Sequence, residues 1–149
     1  MDFFPQVEIN EAQAEGIARG LYTVARVDGV HEREVALISQ FYSDATNGSA
    51  NNLAELGRMG DVDGTYLAAL LPTKEHRALF VKTAWLLAYA DGGVSAAERK
   101  TITSLAGALG LDAATQGKLE ASVKDFLMMQ LAGLQNTAAV AEVAKKLGR

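Results

Sequence analysis

Ala25-Arg-Val-Asp28-Gly29-Val-His31-Glu-Arg-Glu34-Val-Ala-Leu-Ile38 and Ala88-Tyr-Ala-Asp91-Gly92-Gly-Val-Ser95-Ala-Ala-Glu98-Arg-Lys-Thr-Ile102 are two copies of one pattern. Omitting one glycine from the second copy aligns Asp28 with Asp91, Gly29 with Gly92, Glu34 with Glu98 and Ile38 with Ile102. In each copy a helix ends at an Asp-Gly turn and a second helix follows. Glycine reaches the left-handed conformation that stops a helix, and aspartate hydrogen-bonds its own turn. A unit that occurs twice predicts a fold with two pseudo-symmetric halves.

The sequence around the copies has helical periodicity throughout and no sustained apolar–polar alternation of the kind that marks strands. Asn10 and Gln13 form a capping-box pair ahead of Ile17, Leu21 and Val24, with Val27 or Asp28 next at helical spacing. After Gly29, a helix from about His31 to Ser43 is expected to turn Val35, Ile38, Phe41 and Tyr42 inward. Asp44 to Asn52 is rich in turn formers and reads as a loop. Short helical pieces around 53–59 and 66–71 follow, separated by Gly60-Asp-Val-Asp-Gly64.

Thr73 caps the next helix, whose segment Ala78 to Ala90 is apolar on nearly every face, as expected of a buried central helix. Ser95 and Glu98 form a second capping box, Gly110 stops that helix, and Asp112 caps another running to about Leu131. A last piece from Asn136 or Thr137 reaches Leu147. The fold class expected is all-α, a single domain over residues 1–149 built as a bundle of seven or eight helices.

Composition bounds the function. A chain of 149 residues with 49% apolar content can bury about two-thirds of its unfolded surface and form a substantial core. The net charge of −4 argues against nucleic acid as a partner, because phosphate binding needs a basic footprint. With no cysteine there is no disulfide, no thiol nucleophile and no cysteine-ligated metal. Met1 to Pro5 lacks the features of a signal peptide, and the apolar stretch 78–90 is interrupted by Lys82 and too short to cross a bilayer. The expectation is a soluble cytoplasmic protein.

The candidate site is the set Asp28, Glu34, Asp91 and Glu98. Packing of the halves about a pseudo-two-fold axis would let these four carboxylates converge, and hard oxygen donors suit Ca²⁺, Mg²⁺ or Mn²⁺. The competing reading is local: Asp-Gly is a common turn, Glu98 is the capping partner of Ser95, and Glu34 complements a helix dipole. His31 lies beside the first turn, as a helix-start residue or a tuning ligand. Asp61-Val-Asp63-Gly64 is no calcium loop, since the first and twelfth ligand positions fall on Met59 and Leu70. A di-iron carboxylate site is excluded because neither His31 nor His76 stands three residues after a glutamate. No phosphate-binding loop or nucleophile elbow occurs. Trp85 is expected in the core, as are Met128 and Met129.

The repeated Ala-x-x-Asp-Gly…Glu…Ile signature resembles the TerB-like family associated with tellurite resistance and bacterial stress systems, over roughly residues 10–133. The resemblance marks Asp28, Gly29 and Glu34 in one half and Asp91, Gly92 and Glu98 in the other. It implies an all-helical, non-enzymatic module with a metal-linked stress role, acting through protein complexes near the membrane. The first copy departs from the pattern by being one residue shorter and by carrying His31 where Ser95 caps the second, so the second turn is the better candidate for an ion. The alternatives are a metal-independent protein-binding scaffold, for which a homo-oligomer is one form, and a metal-dependent hydrolase.

Overall fold

Asn10 opens α1 (Glu11–Arg26) with the expected reciprocal cap: its Oδ1 accepts from Gln13 N–H at 2.8 Å, and Gln13 Oε1 accepts from Asn10 N–H at 3.0 Å. The computed structural model describes residues 8–46, 53–90 and 93–132. Gly29, at φ 81°, is the left-handed stop beyond α1. The chain then re-enters helix as α2 (Glu32–Ala45), followed by α3 (Leu53–Arg58), α4 (Gly64–Leu70), α5 (Lys74–Ala88), α6 (Ala96–Ala108) and α7 (Ala113–Ala132). The described residues are all helix and connections, with no strand. Asp91, Gly92, most of the 44–52 loop and the expected final helix 136–147 lie outside the described residues.

The helices from α4 onward begin at caps their sequence supplies. Asp63 accepts from Tyr66 N–H, Thr73 from His76 N–H, Ser95 from Glu98 N–H and Asp112 from Thr115 N–H. Such caps satisfy backbone donors that have no partner inside the helix. Gly110, at φ 82°, ends α6 as expected.

α5 is the central element. It packs on α1, α2, α6 and α7, and Leu79, Phe80, Val81, Ala84, Trp85, Leu87 and Ala88 are all buried on it. They join Ile17, Leu21 and Val24 of α1, Ile38 and Tyr42 of α2, Ile102 and Leu105 of α6, and Val123 of α7 in one core. Burying each large apolar side chain contributes about 1.5–3 kcal/mol relative to exposure, and this drives the helices together. Trp85 is core, as expected, at 1% exposure.

Two connections are held by arginines. Arg77 at the start of α5 donates to the carbonyls of Leu71 (2.7 Å), Ala68 (3.1 Å) and Leu109 (3.0 Å), so one side chain serves the C-terminal ends of both α4 and α6. Arg26 does the same for α3, donating to Gly57 and Met59 carbonyls and pairing with Asp61 at 2.6 Å. Gly64 permits α4 to lie directly on α6: a Cβ there would collide with the Cβ of Ala108.

The inward stripe of α2 differs from expectation. Val35 is exposed, and the buried positions are Glu34, Ile38 and Tyr42, with Phe41 half-buried. The stripe therefore steps by four, and Val35 is displaced about 100° around the helix from Glu34. α6 repeats it as Glu98, Ile102 and Ala106. Val27, beyond the end of α1, is also exposed. Met128 packs partly on the core, whereas Met129 is exposed at 57%.

Candidate functional site

The first-turn glutamates of α2 and α6 occupy the same place in their two halves. Glu34 Oε1 accepts from His31 N–H at 3.0 Å, and Glu98 Oε1 accepts from Ser95 N–H at 3.0 Å. Glu34 is therefore a capping residue in the same sense as Glu98, which the sequence suggested only for the second copy. Reaching back to cap turns both carboxyl groups toward the interior, and they are 1% and 5% exposed.

The two carboxyl groups meet. The side chain of Glu98 lies within hydrogen-bonding reach of Glu34. Burial pushes the Glu34 carboxyl above the usual carboxylate range, the His31 N–H opposes that, and the charge of Glu98 reinforces it. Two carboxylates at this distance repel unless a proton or a cation lies between them. The capping bonds use Oε1 of each, leaving a second oxygen on each side chain to hold whichever is present.

The remaining candidates are placed differently. Asp28 is exposed on the first turn, and Asp91 lies outside the described residues. Among the described residues no group of three or more His, Asp or Glu is arranged to hold a metal, so Asp28 and His31 do not join the pair. Glu34 and Glu98 are oxygen donors of the kind a hard cation takes, and they are two in number among the described residues. Water and backbone oxygens would have to complete the six to eight ligands that Ca²⁺ takes.

A second polar cluster borders the pair and is invisible in the sequence motifs. Arg99, the residue after Glu98, donates from Nη1 and Nη2 to the two carboxylate oxygens of Glu120 in α7, each at 2.9 Å. Tyr89, at the end of α5, donates its hydroxyl to Glu120 Oε2 at 2.7 Å. Lys124 is 4.0 Å from the same oxygen. Arg99 also stacks over Trp85, 5.0 Å from the ring centroid. Burial favours a neutral Glu120, but the Arg99 and Tyr89 hydrogen bonds outweigh it and hold the carboxyl below its usual range. Burial, with Glu120 adding to it, pushes the Tyr89 phenol up to about 12.

Comparison with known proteins gives the family. A family model described as tellurite resistance protein TerB matches residues 14–121. The chain belongs to the TerB family. The match runs from α1 into α7, so both TerB hairpins, the Glu34–Glu98 pair and Glu120 lie inside it. No curated protein and no solved structure matches the chain. No helix among the described residues of this TerB chain is long and apolar enough to cross a membrane.

Proposed function

We propose that this protein is a non-enzymatic, cytoplasmic interaction module of the TerB type, serving tellurite resistance-associated stress responses and holding one divalent cation at Glu34 and Glu98. The observation that carries the cation reading is the meeting of two buried, capped glutamates from the two halves. A divalent cation neutralises both charges at once and is favoured over water by hard carboxylate oxygens, which selects Ca²⁺, Mg²⁺ or Mn²⁺. The interaction role is supported by family membership. Its partners are proteins, including those of membrane-associated complexes.

The second reading is a metal-independent scaffold in which a proton joins the same two carboxyl groups, and the raised Glu34 pKa favours it. Calorimetric titration of the full chain with Ca²⁺, Mg²⁺ and Mn²⁺, alongside Glu34→Gln and Glu98→Gln, separates the two. One-to-one binding lost in both variants, with a melting temperature that rises with cation concentration, supports the cation. No heat and no change in melting temperature with any of the three ions overturns it and leaves the proton-joined scaffold.

A further inference from the structure

The two halves differ in how the element after each turn is anchored. In the second half, Glu120 of α7 receives Tyr89 from the C-cap position just after α5 and both arms of Arg99 from the first turn of α6. One carboxylate thereby grips the chain on both sides of the second acidic turn, next to Glu98. In the first half the residue matching Tyr89 is Arg26, which is turned to Asp61 and the carbonyls of Gly57 and Met59, and the residue matching Arg99 is the exposed Val35. No counterpart of the Glu120 grip exists there among the described residues.

The grip is strong and specific in form. A two-armed arginine–carboxylate pair fixes direction as well as distance, and the Tyr89 hydroxyl adds a third bond to the same group. Glu120 is 15% exposed at its side chain and Arg99 48%, so the pair is half-sheltered from water on the Glu120 side. Arg99 is covalently next to Glu98, so the position of α7 is passed directly to one of the two carboxylates.

We infer that Glu120 is a positioning residue for the Glu34–Glu98 site, through which cation binding and the docking of α7 are coupled. This rests on the cation reading above. Coupling is reciprocal: a docked α7 holds Glu98 ready for the ion, and the bound ion holds α7 in place. The position of α7 is then the readout by which a partner senses the occupied site.

The test uses the full chain and Mn²⁺ as probe, with calorimetry and amide hydrogen exchange on wild type, Glu120→Gln and Thr73→Ala. Thr73 caps the opposite end of α5, so its variant matches a loss of stability without touching the grip. The expected result is Mn²⁺ affinity at least about 5-fold weaker in Glu120→Gln and unchanged in Thr73→Ala. Mn²⁺ should also slow exchange of α7 amides in wild type and not in Glu120→Gln. Should Glu120→Gln fail to fold, Arg99→Lys keeps the charge, loses the two-armed bond and reads the same affinity. Wild-type binding with equal affinity in Glu120→Gln or Arg99→Lys overturns the coupling and leaves the cation reading standing. No Mn²⁺ binding in wild type overturns both.

Discussion

Tyr22 and Trp85 stand at the same place in the two halves, six residues before Asp28 and Asp91, and each carries an arginine over its ring. Arg26 lies 5.6 Å from the Tyr22 centroid and Arg99 lies 5.0 Å from that of Trp85. The arginines come from different positions, one on the same helix as its ring and the other on the helix that follows. Both nevertheless use the rest of their guanidinium to fasten a neighbouring segment: the stretch between α3 and α4 in one half, α7 in the other. The duplicated core has thus been tied to two unrelated appendages by the same stack.

Glu34→Gln should make stability less dependent on pH. A carboxyl whose pKa is raised by folding binds its proton more tightly in the folded chain. That contribution is complete below the ordinary carboxylate range and is lost as pH rises through the raised value. In chelator, wild type should therefore lose stability across that window while Glu34→Gln, which keeps an oxygen for the His31 N–H, does not. Its melting temperature at pH 7 should exceed that of wild type. Glu120 acts in the opposite sense and only as pH falls through its lowered value, so it leaves this window clear. Thermal melts at a series of pH values check the prediction, and parallel curves for the two proteins would refute it.

Ser95→Ala removes the oxygen that accepts from Glu98 N–H at 3.0 Å. The loss should be about 1 kcal/mol, or a fall of about 2–4 °C in melting temperature for a chain of this size. It should also free the first turn of α6, giving faster amide exchange there than in α2.

Gly64→Ala should destabilise by about 1–3 kcal/mol, since the new methyl meets Ala108 and α4 must move off α6. Ala108→Gly in the same chain removes the opposing methyl. The pair should be clearly non-additive in a double-mutant cycle of urea midpoints. Additive losses would mean the two helices do not touch at this point.

Arg77→Met keeps most of the side-chain volume and strands the carbonyls of Leu71, Ala68 and Leu109. A loss of about 1.5–3 kcal/mol is expected, because hydrogen bonds from a charged donor are the stronger kind. The urea midpoint should fall with an unchanged slope, and a variant as stable as wild type would show that water serves those carbonyls equally well.

Much of this fold is readable because it is written locally. Asn10 with Gln13, Thr73, Ser95 with Glu98, Gly29 and Gly110 each act within four residues of their own position, so their spacing alone places the helix ends. Of the four candidate carboxylates the structure brings Glu34 and Glu98 together, and the form of that meeting was not legible. Glu34 in the first turn of a helix reads as a solvated partner of the dipole, and Val35 reads as core. Only the packing of α2 on α1 and α5 reverses the two, and the buried carboxyl then meets that of Glu98. The grip of Glu120 leaves no trace in the sequence, since its partners Tyr89 and Arg99 are 31 and 21 residues away and each is an ordinary surface-type residue where it stands.

Trp85 is the one tryptophan in the chain, and it lies sealed at 1% exposure under the guanidinium that α7 holds. The indole is therefore a built-in optical gauge of whether α7 is seated. Its emission should be that of a buried indole while the helix is docked and should move to longer wavelength if Arg99 lets go and water reaches the ring. No dye or tag is needed to watch the junction of α5, α6 and α7 open and close in solution.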